Sequence, residues 1–233
     1  MSKPVCAIFG VGPGNGMAFA RKFTAAGYAT ALCARSTDAM AGAAADLDDA
    51  RGFTCDVSDT ASVTATITAI TDQMGPIDTL IFNAGNARWG SVDDLAPEDL
   101  DIGFDVNAKG LMRCAQAALP SWRAAGSGTL LVVGAGAALR GRPGTLAFAA
   151  SKAAQRSVAQ SLARQLGPEG IHVAYLILDG VIDLERTRAR MPDAPDTFYL
   201  TADGVADAAL ALARQDRQAW TFELDLRPFG ESW

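Results

Sequence analysis

Seven residues near the start of the chain, Gly10-Val11-Gly12-Pro13-Gly14-Asn15-Gly16, carry the first chemical signal. They lie between an apolar run at 5–10 and a segment of helical period at 17–26, where a strand would turn into a helix. Backbone can approach a pyrophosphate closely only where side chains are absent, and a helix N-terminus adds unpaired N–H groups and the positive end of its dipole. Gly10, Gly12, Gly14, Asn15 and Gly16 therefore read as a phosphate-binding loop, with a tight βα turn as the plainer alternative. A second apolar run, 28–35, ends in Ala34-Arg35-Ser36. Here a dinucleotide site discriminates its adenosine ribose: a carboxylate holds the 2′-hydroxyl of NAD, whereas an arginine accommodates the 2′-phosphate of NADP. Arg35 and Ser36, with no carboxylate beside them, favour NADP(H) over NAD(H), unless Arg35 is an ordinary solvated residue at a strand end.

Such residues need a scaffold, and the chain supplies a regular one. Apolar runs at 5–10, 28–35, 52–57, 77–85, 128–136, 171–180 and 219–228 read as strands. Alanine-rich segments of helical period separate them, at 17–26, 38–48, 97–124, 148–166 and 201–214, with one more reaching residue 74 after a cap at Ser58-Asp59. Strands alternating with helices imply right-handed βαβ units and a parallel sheet. The expectation is a doubly wound α/β (Rossmann) fold, about seven strands with helices on both faces. No linker or repeat divides the 233 residues, so 1–233 reads as a single domain.

Composition narrows the function classes. Hydrophobic residues make up 49% and charged residues 20%, too apolar a mixture for disorder. Twenty basic against 26 acidic side chains give a net charge of −6, which argues against a nucleic-acid partner. No apolar run approaches the roughly 20 residues of a membrane span. The first residues leave no room for a secretory leader before the glycine loop, so a cytoplasmic protein is expected. Cys6, Cys33, Cys55 and Cys114 are scattered, without metal-ligand spacing, and read as small core residues; no metal site is expected. The single histidine, His172, falls inside a strand and reads as structural.

Further landmarks follow the loop in order. Asp56-Val57 ends the third strand, Asn83-Ala84-Gly85 ends the fourth, and Asn107 lies in the long middle helix within Asp105-Val106-Asn107-Ala108-Lys109-Gly110. Together with Gly10, Gly14 and Gly16 these resemble the short-chain dehydrogenase/reductase family over nearly the whole chain. The resemblance implies that Asp56 and Val57 border the adenine, that Asn83, Ala84 and Gly85 complete the cofactor site, and that Asn107 belongs to a catalytic tetrad. It implies, too, a small-molecule substrate and a homodimer or homotetramer, with the segment from Trp220 to Trp233 near a neighbouring subunit.

The same resemblance exposes departures. The family's YxxxK segment reads Phe148-Ala149-Ala150-Ser151-Lys152, which keeps Lys152 but sets a phenyl ring where a phenol would transfer the proton. Ala135 stands where a serine would polarise the substrate carbonyl, and Gly134, Gly136, Ala137 and Ala138 bring no hydroxyl either. The family's PGxxxT reads Asp179-Gly180-Val181-Ile182-Asp183-Leu184; Gly180, Val181 and Ile182 retain backbone groups for the nicotinamide carboxamide, while Leu184 replaces the threonine hydroxyl.

Asp179 and Asp183 add carboxylates near the expected substrate cleft, as a base or a cation site, or else as loop acids paired with Arg186, Arg188 or Arg190. Trp89, Phe148, Phe198 and Tyr199 could wall an apolar substrate site, and the Tyr175 and Tyr199 phenols could stand in as proton donors. Three readings stay open. They are an NADP(H)-dependent oxidoreductase with a non-standard proton donor, a catalytically silent dinucleotide-binding sensor or partner subunit, and a lyase or isomerase using Asp179 or Asp183.

Overall fold

Every residue of β1 (Val5–Phe9) is buried, as a strand covered by helices on both sides requires. In the computed structural model, which describes residues 3–36, 44 and 47–230, six more strands join it in one sheet. They are β2 (Ala29–Ala34), β3 (Ala50–Thr54), β4 (Ile77–Phe82), β5 (Gly128–Val133), β6 (Ile171–Leu178) and β9 (Glu223–Leu226). All the pairings are parallel and the order is β3-β2-β1-β4-β5-β6-β9, the doubly wound α/β arrangement expected. Two short strands between β6 and β9, β7 (Val181–Ile182) and β8 (Tyr199–Leu200), pair separately.

The strand residues divide by parity. Val5, Ala7 and Phe9 face one apolar layer, built with α2 (Thr60–Met74), α4 (Gly110–Ala125) and α5 (Leu146–Leu166). Cys6 and Ile8 face the other, built with α1 (Asn15–Ala25) and α7 (Ala202–Ala213). All four cysteines are free and buried, and burial pushes the Cys6, Cys33 and Cys114 thiols well up, away from the reactive thiolate. His172, in β6, stacks on Trp220 at 4.8 Å and its Nε2 lies 2.9 Å from the Thr221 carbonyl oxygen, which agrees with a structural role. Among the described residues no helix is long and apolar enough to cross a membrane.

Several boundaries differ from expectation, and the last strand, expected over 219–228, covers only 223–226. β3 covers 50–54 rather than 52–57, because its partners on β2 run from Thr30 opposite Ala50 to Ala34 opposite Thr54. Cys55, Asp56 and Val57 thus lie beyond the sheet, where they can face a ligand. The helix expected over 97–124 is α3 (Asp99–Gly103), a wide π-helical turn (Phe104–Lys109) and α4 in succession. The loop expected after β6 instead contains β7, a short helix α6 (Glu185–Arg190) and β8. The helix expected over 38–48 lies largely outside the described residues.

One charged cluster ties neighbouring strand ends together. Asp179, just past β6, donates its N–H to the Leu226 carbonyl on β9 at 2.8 Å. Its carboxylate accepts hydrogen bonds from Arg140, in the loop after β5, at 2.8 and 3.0 Å. Arg227, just past β9, stands 3.3 Å away. The Asp179 side chain is only 8% exposed, so two guanidinium groups offset the cost of burying its charge. Replacing it by Asn removes the charge that both arginines meet, although Arg227 keeps Asp225 and Arg140 is partly solvated, and we expect Asp179→Asn to lose about 1–3 kcal/mol of stability. Denaturant unfolding measures this directly, and a loss below about 0.5 kcal/mol, the range of ordinary surface changes, would refute the tie.

Candidate functional site

The C-terminal ends of β1 and β4 meet where the strand order reverses, and a cleft of about 1150 Å³ opens there. Its floor is the glycine loop. Gly10 has φ +97°, and a Cβ there would lie 2.4 Å from the Ala84 nitrogen, so only glycine allows β1 to leave the sheet against the β4 backbone. Asn83 locks that crossing by donating from Nδ2 to the Gly10 carbonyl at 2.7 Å and from its backbone N–H to Phe9 at 2.8 Å. A Cβ on Gly12 would meet nothing within 4 Å, which leaves an open, side-chain-free surface before α1. That surface fits a phosphate group held by backbone N–H groups.

Residues predicted for the adenosine end line the same cleft: Arg35 and Ser36 after β2, and Asp56 and Val57 after β3. Asp56 accepts hydrogen bonds from the Ser58 hydroxyl and N–H, at 2.6 and 2.9 Å. Those bonds, with the nearby Arg35 and Arg113 charges, hold its carboxyl below the usual range. Arg35 is exposed at the rim. Asn83, Ala84 and Gly85 line the middle, and Ile182 and Leu184 approach from beyond β6.

Asn107 and Lys152 stand behind the cleft wall, both buried. The π-helical turn carries Asn107 toward the backbone after β4, where its Oδ1 accepts from the Asn86 N–H at 2.9 Å and its Nδ2 donates to the Asn86 carbonyl at 3.0 Å. Nδ2 also donates to Ser151 Oγ at 2.8 Å, and Ser151 donates to the Phe148 carbonyl at 2.9 Å. Lys152 Nζ donates to the Val133 carbonyl at 2.9 Å and to Gln155 Oε1 at 3.0 Å. Burial, with no carboxylate to offset it, brings the Lys152 ammonium down to about 7.

Phe148 sits on α5 one turn before Lys152 and packs against Trp89, with ring centroids 4.9 Å apart. With Ile102 and Val106 these rings give the cleft an apolar wall. Ala135, half-buried, caps the short turn after β5. Other predicted groups point elsewhere. The Tyr175 hydroxyl is buried, 3.4 Å from Gln155 Oε1, and the Tyr199 hydroxyl donates to the Met191 carbonyl at 3.0 Å. Phe198 packs edge-on against Tyr199. Asp183 pairs with Arg188, Nη2 to Oδ2 at 2.9 Å, which lowers its carboxyl. Neither Asp179, Asp183, Gly180 nor Val181 is among the residues lining the cleft.

Sequence reasoning missed Asn86, Ile102, Ser151, Gln155 and Arg186. For Ser151 and Gln155 a signal existed, since they are polar residues spaced four apart on the buried face of α5. Arg186 and Glu185 reach the cleft only because α6 folds back over it.

Residues 4–193 match the family model described as short chain dehydrogenase. The chain is 30% identical over 230 residues to 2-(R)-hydroxypropyl-CoM dehydrogenase of Xanthobacter autotrophicus, covering 91% of this chain and 92% of that protein. It is 26% identical to an uncharacterized oxidoreductase of Staphylococcus epidermidis, over 98% of both. Among solved structures it resembles an alcohol dehydrogenase from the archaeon Thermococcus sibiricus complexed with 5-hydroxy-NADP, at TM-score 0.88, 26% identity and 99% coverage of both chains. It also resembles a gluconate 5-dehydrogenase from Burkholderia cenocepacia in complex with NADP and tartrate, at TM-score 0.86 and 25% identity, covering 98% of this chain and 95% of that one. A glycine-floored cleft at the reversal of a seven-stranded parallel sheet and a match running through it agree: this chain belongs to the short-chain dehydrogenase family.

Proposed function

We propose that the chain binds NADP(H) and acts as an oxidoreductase on a small molecule, with a proton donor other than the family's usual tyrosine. The observation that carries this is the continuous cleft floor from Gly12 to Arg35, which leaves space for a phosphate at one end and a guanidinium at the other. Backbone groups of the loop would hold the pyrophosphate and Arg35 the 2′-phosphate. Both relatives with bound nucleotide named above carry an NADP form, which supports the choice. When bound, the nicotinamide supplies hydride chemistry. The chain's own contribution at that end is Lys152, with its ammonium oriented by Val133 and Gln155, and Asn107, which fixes the backbone at Asn86. Trp89 and Phe148 would present an apolar face there.

A second reading, a dinucleotide-binding protein without turnover, is favoured by one observation. Phe148 and Ala135 set no hydroxyl where the family's substrate-polarising pair stands, and Phe148 is engaged with Trp89.

Arg35 decides the cofactor. A charge-assisted contact to a 2′-phosphate contributes about 1.5–3 kcal/mol, so NADPH should bind at least about tenfold more tightly than NADH. In Arg35→Ala the two affinities should converge. Equal binding to the wild-type protein, measured by calorimetry, would remove the NADP assignment.

The substitutions at the reacting end predict poor reduction of simple aldehydes and ketones, because general acid catalysis contributes about 10²–10⁴-fold and an oxyanion donor about 10²–10³-fold. The double change Ala135→Ser and Phe148→Tyr, beside Asn107 and Lys152, should create measurable NADPH-dependent carbonyl reduction. Each single change should give less, since the two hydroxyls act as a unit. Brisk wild-type turnover of ordinary ketones would show that another group already supplies the proton.

A further inference from the structure

The chain has four lysines, and three of them stand beside a carboxylate: Lys3 beside Asp49, Lys22 beside Asp207 and Lys109 beside Asp105. Lys152 does not. Its Nζ donates to two neutral acceptors, the Val133 carbonyl at 2.9 Å and Gln155 Oε1 at 3.0 Å, and no charge offsets its burial. Of the elements packed around it, β6 brings the Tyr175 phenol, which burial keeps protonated, and the π-helical turn brings the neutral amide of Asn107. The acids on these and the adjoining elements are met by arginines: Asp105 by Arg113, Asp179 by Arg140 and Arg227, and Glu223 by Arg156.

Gln155 is itself fully buried, and its Nε2 has no hydrogen-bond partner among the described residues. Its Oε1 serves Lys152 and, at 3.4 Å, the Tyr175 hydroxyl. A carboxamide is an acceptor at one end and a donor at the other. Oε1 suits an ammonium; with the amide turned over, Nε2 suits the lone pair of an amine, and a hydroxyl, being donor and acceptor, accommodates either. A glutamate at this position would fix the ammonium instead. The spare donor is what a partner for both charge states of a lysine requires. Lys152 also stands next to the cleft, because Gly85 lines it and a Cβ there would lie 3.9 Å from Nζ.

We infer that Gln155 is a positioning residue, whose uncharged amide holds Lys152 behind Gly85 in either charge state and so lets this lysine give up the proton that Phe148 cannot. The inference rests on the NADP(H) oxidoreductase reading above and names its proton donor. In the reducing direction an Nζ–H bond breaks and an O–H bond forms on the substrate oxygen, the hydride comes from the reduced cofactor, and the amine left behind regains its proton from solvent. Positive charge leaves the lysine as it appears on the oxidised nicotinamide, so this poorly solvated corner never holds both. Burial brings the ammonium down to about 7, where both of its forms are populated at neutral pH.

The first measurement needs no ligand. In the full chain labelled with carbon-13 at lysine Cε, the Lys152 signal, identified by its loss in Lys152→Met, should titrate at about pH 7. Gln155→Glu should carry the midpoint above about pH 9, and Gln155→Met, which takes the acceptor away, should carry it below about pH 6. A side chain that only fills space would not give opposite shifts in two variants of similar length. If the buried glutamate prevents folding, the methionine variant decides alone. The second measurement is calorimetry at pH 7 in buffers of different ionisation heat. NADP⁺ should release about half a proton more than NADPH, a difference in which their shared phosphates cancel and which Gln155→Glu should abolish.

A wild-type midpoint in the ordinary lysine range, about pH 10, would overturn the inference, and so would a midpoint that neither variant moves. Equal proton release with the two cofactor forms would overturn the role of Lys152 as donor while leaving the cofactor reading intact. Failure of wild-type protein to bind either form would overturn the cofactor reading, and the inference with it.

Discussion

All seven strands of the main sheet run the same way, and the chain changes winding direction between β1 and β4. Connections leave those two strand ends toward opposite faces, so a crevice between them is an unavoidable product of the topology. What the sequence must add is a way to bring the two backbones close enough to define its floor. Gly10 does so by having no side chain to strike Ala84, and Asn83 does so by bonding across to the Gly10 carbonyl. The open loop, the placement of Arg35 and Asp56 at the adjacent strand ends, and the reach of the flap from β6 all depend on that junction.

The junction was the most legible part of the chain because its requirements are local. Glycines at fixed spacing after an apolar run, an arginine ending the next run and an Asn-Ala-Gly after the fourth can be read without knowing what lies across the sheet. The end at Asn107 and Lys152 was harder for the opposite reason. Asn107 is recognisable in sequence, but the wide turn that carries it to Asn86 has no marker in Phe104–Lys109, and its other partner comes from α5. Asp179 and Asp183 were legible as residue types, but their meaning depended on which arginines met them. Arg140 and Arg227 arrive from the ends of two other strands, and no local pattern announces that convergence. The shift of β3 has the same origin, since register is set by the β2 partner rather than by the hydrophobicity of 52–57.

The two ends of the cleft differ in kind. At the glycine-loop end the groups offered are backbone amides and an exposed guanidinium, which need only space and orientation. At the other end the polar groups have withdrawn into the protein: Asn107, Ser151, Lys152 and Gln155 bond among themselves and to backbone, and the face turned to the cleft is aromatic. Lys152 makes the contrast sharpest. It is held by a carbonyl and a neutral amide rather than by a carboxylate, so its charge is poorly compensated and titrates near neutrality. An apolar wall over an undercompensated cation is a different environment from the open, solvated floor at the glycine loop.

The sheet also has two ends of its own, and these bear on how the molecule meets others. The outer strands are short, five residues in β3 and four in β9. Arg51 is exposed on the first, and Glu223 and Asp225 lie on the second, where Glu223 is held by Arg156. A foreign strand adding to either edge would have to desolvate these charges, a device that protects sheet edges from open-ended pairing. Growth of the sheet from molecule to molecule is thus disfavoured at both edges, leaving the helical flanks as the surfaces that a second molecule can cover without that penalty.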